Sequence, residues 1–86
     1  MRGGEEVSLL TVYGREDCHL CHDMIAELEA LQPEYRFALE VVDVDEDETL
    51  ERQYGHLAPV LAGNGGEICH YRLDPVALAA YFGKIR

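Results

Sequence analysis

The chain has 86 residues, enough for one small domain with a modest hydrophobic core. Hydrophobic residues make up 48% and charged residues 28%, a balance that argues against wholesale disorder. With 17 acidic against 7 basic side chains the formal net charge is -10, which excludes a nucleic-acid partner; no apolar run is long enough to span a membrane.

A surface this acidic suits a basic partner, or simply keeps the protein in solution. The opening residues, Met1-Arg2-Gly3-Gly4-Glu5-Glu6, have no apolar stretch of the kind a signal peptide needs. The expectation is a cytoplasmic protein. Nothing in the pattern demands more than a monomer. Three cysteines are an odd number, and a stapled secreted domain would carry more, in even number. In a reducing compartment a close cysteine pair is more often catalytic or metal-binding than structural.

Ordered structure is expected from about Val7. Val7 to Tyr13 is nearly all apolar and rich in strand-forming residues, so it reads as a buried strand. Gly14 to Asp17 is a loop. Cys21, Met24, Ile25, Leu28 and Leu31 then recur at helical spacing, an amphipathic stripe with Asp23, Glu27 and Glu29 off it. Pro33 marks the end of that helix. Tyr35 to Val44 reads as a second strand. Asp45 and Glu48 make a capping pair for a short helix over Glu46 to Tyr54, with Gly55 at its C-terminal stop. The acidic run Asp43 to Glu48 lacks the glycine and alternation of a calcium loop. After a loop holding Pro59, Val60-Leu61-Ala62 forms a third strand. Gly63-Asn64-Gly65-Gly66 supplies a hairpin turn, and Glu67 to Leu73 returns as a fourth strand. Asp74-Pro75 opens a last helix, an N-cap followed by proline, with Leu78, Tyr81 and Phe82 on its apolar face.

The order β-α-β-α-β-β-α predicts an α/β domain. Its first βαβ unit makes a right-handed parallel crossover, and its last two strands an antiparallel hairpin. A mixed four-stranded sheet flanked by helices follows. The aromatics Tyr35, Phe37, Tyr54, Tyr71, Tyr81 and Phe82 fall at element-period positions and read as core.

The chemistry concentrates in Cys18-His19-Leu20-Cys21-His22. Three readings fit this string. Covalent haem attachment matches it literally. Against it stand the missing export signal and Met24, too close to His22 to be the opposite axial ligand. A zinc or iron–sulfur site would draw on Cys18, Cys21, His22 and either His56 or Cys69, but there is no second pair of cysteines at that spacing. The third reading is a redox dithiol. Cys18 falls where a buried strand meets the first turn of a helix, a place where unpaired N–H groups and the helix dipole favour a thiolate. Cys21 lies one turn on, along the apolar stripe. Cys18 would be the exposed nucleophile and Cys21 the buried resolving thiol. Glu16 and Asp17 disfavour the thiolate; His19 and His22, when protonated, favour it. Cys69 reads as a small core residue, and His56 and His70 as solvated.

The segment Val12-Tyr13-Gly14-Arg15-Glu16-Asp17-Cys18-His19-Leu20-Cys21 resembles the active-site entry of glutaredoxins. The element order, with a proline opening the third strand, resembles the thioredoxin superfamily. The likeness runs from Val7 to about Phe82 and is nearest to small bacterial glutaredoxin-like proteins. It implies a thiol–disulfide oxidoreductase with no bound cofactor or metal, and with glutathione as a co-substrate. Its partners would be a disulfide-containing protein or a glutathione mixed disulfide, with a thioredoxin-type reductase as one route of reset. It also implies a cis Pro59, with Ala58 offering backbone hydrogen bonds to substrate. Arg15 would lie near the glutathione carboxylate and Asp74 would meet its amine. The departures fall on the glutathione site. Glutaredoxins place a Pro and an aromatic between the cysteines, Thr-Val before the cis-proline, and a Gly-Gly after the fourth strand. Here those places hold His19-Leu20, Leu57-Ala58 and Cys69-His70, then Tyr71-Arg72. From a different class stands a redox-silent metal-binding or protein-interaction module on the same fold.

Overall fold

A computed structural model describes residues 8–64 and 66–85 of the chain. Strand β1 runs Ser8–Gly14, helix α1 His19–Tyr35 and strand β2 Phe37–Asp43. A 3-10 turn over Val44–Glu46 leads into helix α2, Glu48–Tyr54. Strands β3, Val60–Gly63, and β4, Gly66–His70, precede helix α3, Pro75–Ile85. One four-stranded sheet has the order β2-β1-β3-β4. Strands β1 and β2 are parallel; β3 is antiparallel to both β1 and β4. This is the mixed α/β sheet the element order predicts.

One face of the sheet makes the core. Leu10 and Val12 of β1, Phe37 of β2, Leu61 of β3 and Cys69 of β4 pack with Met24 and Leu28 of α1 and Leu78 and Phe82 of α3. Phe82 stacks on Tyr35 at 4.7 Å and on Phe37 at 5.7 Å between centroids, so α3 closes the end where α1 leaves the sheet. The opposite face is covered chiefly near Tyr13, which stacks on Tyr54 of α2 at 4.2 Å. Burial, then the neighbouring Tyr54 and Glu40, raises the Tyr13 hydroxyl pKa.

Several boundaries move. Helix α1 continues through Pro33 to Tyr35. Proline this close to a C-terminus removes one hydrogen bond, to a carbonyl that water reaches. The helix instead stops at Arg36, which is left-handed (φ 60°) and donates its N–H to Gln32 at 2.7 Å. Strand β2 consequently begins at Phe37, two residues later than the hydrophobic run suggests. The cap of α2 is Asp47, not Asp45: its carboxylate accepts from Thr49 and Leu50 N–H groups at 2.8 and 3.3 Å. Asp43 caps the preceding 3-10 turn through the Asp45 N–H. Four acidic side chains in five residues offer several caps, and the sequence alone does not choose among them. Strand β4 ends at His70, because Tyr71 turns left-handed (φ 67°). Tyr71 is 46% exposed and so stands outside the core it was assigned to. The α3 start is as read: the Asp74 carboxylate accepts from Val76 and Ala77 N–H groups at 3.0 and 3.1 Å. Val7 and Gly65 lie outside the described residues.

Leu28 is fully buried, whereas Leu9 is 54% exposed on the other face of β1. Leu28→Ala should lower stability by about 2–5 kcal/mol through the cavity it leaves. Leu9→Ala should stay within about 0.5 kcal/mol. Urea midpoints at equal slope test both; a Leu28 loss as small as that of Leu9 would mean α1 does not seal the core.

Candidate redox site

The site grows from the end of β1. Because β1 lies between β2 and β3, its C-terminal residues emerge at one end of the sheet flanked by two strand ends. The chain then bends through Arg15–Asp17, with the Cys18 N–H donating to the Arg15 carbonyl at 3.3 Å. Cys18 is the N-cap of α1, in extended backbone (φ -94°, ψ 114°). Its Sγ accepts the Cys21 N–H at 3.1 Å, while its carbonyl takes the His22 N–H at 3.2 Å. A cysteine thus occupies the position normally held by Ser, Asp or Asn, and its sulfur faces the unpaired donors of the first turn. The two cysteines are joined as a disulfide with Cα atoms 5.2 Å apart. Cys18 is partly exposed and Cys21 is 1% exposed. This is the asymmetry a nucleophile and a resolving thiol require.

The depth of Cys21 depends on Gly14. A Cβ built on Gly14 would stand 2.8 Å from Cys21 Sγ and 3.1 Å from its Cβ. The last residue of β1 therefore has no side chain because the Cys21 sulfur fills that space.

Arg15 is held inward. Its guanidinium donates to the Asp45 carboxylate, to Glu51 at 3.4 Å and to the Gly55 carbonyl at 3.0 Å. The hydrogen bond to Asp45 leads the effects that raise its pKa, outweighing partial desolvation. Gly55 completes the lock. A Cβ there would sit 2.5 Å from the Glu51 carbonyl oxygen and 2.7 Å from the Arg15 guanidinium. Gly55 keeps a right-handed φ of -56°, so close approach, not a left-handed stop, is what requires glycine. Arg15 ties the loop before Cys18 to the 3-10 turn and the C-terminus of α2. In this arrangement its donors are engaged by the chain's own acceptors.

His22 donates its Nε2–H to the Glu16 carbonyl at 2.7 Å, a second tie on the same loop. His19 is 89% exposed and lies 3.4 Å from Asp23, one turn along the helix. The hydrogen bonds and ion pairs of both rings are thus with oxygen atoms of the loop and of α1. Ala58 and Pro59 stand at the same end of the sheet: the register of Tyr13 with Val60 brings Gly14 beside Pro59. The Ala58–Pro59 peptide is cis. The Tyr71 N–H donates to the Pro59 carbonyl at 2.8 Å and its hydroxyl to the His56 carbonyl at 3.2 Å, clamping this loop from both sides. Among the described residues, neither the N–H nor the carbonyl of Ala58 makes a hydrogen bond. Tyr71 is the residue the sequence did not flag, since its left-handed backbone and clamping role are visible only in three dimensions. Asp74 caps α3, as described. Cys69 sits in the core across the ladder from Leu61, and burial pushes its thiol pKa up. Among the described residues no group of three or more His, Cys, Asp or Glu is placed to hold a metal ion. Nor is any described helix long and apolar enough to cross a membrane.

Gly14→Ala should destabilise the protein by about 1–3 kcal/mol, the usual range for forcing a methyl into a packed site. Urea unfolding of the oxidised and the reduced protein measures it. An unchanged midpoint in both states would show that the strand end yields without cost.

The comparisons agree with this architecture. A family model described as a glutaredoxin-like domain (DUF836) matches residues 9–83. No curated protein gives a match. Among solved structures, protein Ne2328 from Nitrosomonas europaea, determined by solution NMR, is 46% identical with a TM-score of 0.83. The alignment covers 94% of this chain and 98% of that one. Protein XcR50 from X. campestris, an X-ray structure, is 37% identical with a TM-score of 0.65, over 87% of this chain and 96% of that one. Thioredoxin 1 from Thermosipho africanus shares 16% identity and a TM-score of 0.55, over 90% of this chain and 89% of that one, a likeness of fold alone. With its thioredoxin fold and a family match spanning most of its length, the chain belongs to the glutaredoxin-like domain family.

Proposed function

We propose that the protein is a thiol–disulfide oxidoreductase working through Cys18 and Cys21. The observation that carries this reading is the placement of Cys18 Sγ at the N-terminus of α1, 3.1 Å from the Cys21 N–H, with Cys21 buried behind it. Such a place stabilises a thiolate and leaves it open to attack a disulfide.

In the reduced protein the Cys18 thiolate attacks one sulfur of a substrate disulfide. The substrate S–S bond breaks, the second sulfur leaves with the electron pair and takes a proton, and a mixed disulfide remains on Cys18. Cys21, deprotonated, then attacks Cys18 Sγ. The mixed disulfide breaks, the substrate departs as a dithiol, and Cys18–Cys21 is left oxidised. Two electrons have passed from the protein to the substrate. A thiol reductant, glutathione or a thioredoxin-type reductase, returns them in a reducing compartment such as the cytoplasm. The open N–H and carbonyl of Ala58, beside the cis Pro59, would pair with the substrate backbone. A monomer suffices for every step. Glutathione would be the co-substrate only without Arg15, whose guanidinium is engaged internally, and through the one Asp74 carboxylate oxygen that does not cap α3.

Cys18→Ser should abolish disulfide reduction, whereas Cys21→Ser should accumulate the mixed disulfide on Cys18. Intact protein is titrated in glutathione buffers, alkylated and counted by mass spectrometry. Cys18 and Cys21 should oxidise together, with a midpoint between roughly -270 and -200 mV. In the reduced protein Cys69 should alkylate after Cys18 at neutral pH, since burial raises its pKa and shrinks its thiolate fraction. Disulfide reduction that survives Cys18→Ser, or a pair that stays reduced while Cys69 reacts, sinks the proposal.

A further inference from the structure

Two grooves run along α1 from its N-terminal turns. One, of about 350 Å³, starts at Leu20, between the two cysteines, and runs between Asp23 and Glu27 of α1 and the Tyr71-Arg72-Leu73 turn. The other, of about 280 Å³, touches Cys21 itself and is edged by Glu16, Asp43 and Glu46, with Ile25 and Val41 as its apolar floor. Five carboxylates line these two grooves against the guanidiniums of Arg15 and Arg72. Arg15 is already bound to Asp45, Glu51 and the Gly55 carbonyl, so its charge is met inside the protein. Arg72 makes no ion pair among the described residues. His19 and His22 add charge only when protonated. The two grooves thus carry five carboxylates against one guanidinium, that of Arg72, left without an ion pair among the described residues, within a strongly acidic chain.

We infer that the disulfide this protein exchanges with is carried by a basic polypeptide, with lysine or arginine on either side of the substrate cysteine. The inference rests on the dithiol reading above and specifies its substrate class. Asp23 and Glu27 face the substrate chain on the α1 side of Cys18, and Glu16 and Glu46 face it on the β2 side. Their contribution is electrostatic and acts on encounter and orientation, leaving the exchange itself unchanged: the substrate disulfide gains two electrons and Cys18–Cys21 loses two. A small anionic disulfide such as oxidised glutathione carries more carboxylates than ammonium groups and gains nothing from this surface. Fields of this kind change association rates by roughly 10- to 1000-fold and fade with salt.

The test uses the intact reduced chain and three disulfides at one fixed pH of about 8, where dithiothreitol supplies thiolate for the reference rates. Two are synthetic cyclic peptides of equal length, with either lysines or glutamates flanking the cysteines; the third is oxidised glutathione. Each rate is divided by the rate of the same disulfide with dithiothreitol, which removes differences in intrinsic reactivity. The lysine peptide should lead the glutamate peptide by about tenfold or more in dilute salt. The lead should shrink toward unity between about 0.01 M and about 1 M salt, as the screening length falls from roughly 30 Å to roughly 3 Å. Asp23→Asn with Glu27→Gln, an exposed and nearly isosteric pair of changes, should narrow the lead by slowing the lysine peptide and speeding the glutamate one. Equal rates for the two peptides, a lead untouched by the double substitution, or oxidised glutathione as the fastest substrate overturns the inference and leaves the dithiol reading standing. No protein-dependent exchange with any of the three overturns both.

Discussion

The close approach of Cys21 to Gly14 is the contact on which the site depends. Strand β1 is central in the sheet and is held on both sides by neighbouring strands, so its end is a fixed point. Placing the sulfur of Cys21 where a Gly14 side chain would stand fixes the start of α1 against that point. From there the stripe Met24, Leu28 follows the sheet into the core, and Cys18 is left one turn out, at the helix N-terminus. The Cys18 sulfur is partly exposed because the Cys21 sulfur is buried. Both consequences follow from one contact and the 3.6-residue period of the helix.

Around this point the short loop Arg15–Asp17 is held by more ties than its length requires. Arg15 reaches the 3-10 turn, α2 and the Gly55 carbonyl, and His22 reaches back to Glu16. On the far side Tyr71 holds the cis-proline loop by two hydrogen bonds. The proposed exchange would need the two sulfurs kept within bonding reach while a substrate chain comes and goes. Rigid support on both flanks meets that need, and it leaves the Ala58 backbone as an unoccupied polar edge between them.

Acidity is the second constraint. A domain this small cannot bury many charges, so its excess of carboxylates lies on the surface. The fold sets their places: α1 turns Asp23 and Glu27 into one groove, and the end of β2 with the 3-10 turn after it sets Asp43 and Glu46 in the groove that touches Cys21. One basic residue in the entry loop, Arg15, is absorbed by α2 and does not counter them. The same substitution of interactions explains why Gly55 has to be glycine despite an ordinary helical backbone.

Much of this protein was legible in its sequence, because the signals were local. Apolar runs rich in strand-forming residues marked the strands, and the Cys21, Met24, Leu28 spacing marked the buried face of α1. Asp74-Pro75 marked the start of α3, and the cysteine spacing at a strand-to-helix junction marked the site. What the sequence left open were choices between equivalent local options, or contacts between residues far apart in the chain. Asp43, Asp45 and Asp47 are interchangeable as caps until packing selects one. Pro33 ends a helix only if its missing hydrogen bond cannot be spared. Arg15 could face substrate or solvent until α2 brings Asp45, Glu51 and the Gly55 carbonyl within its reach, 30 to 40 residues away. Tyr71 reads as one more core aromatic until a left-handed turn aims it at the proline loop. Periodicity and residue type fix elements because neighbours along the chain set them; the roles of Arg15, Gly14 and Tyr71 belong to tertiary structure, because each is defined by what the fold brings against it.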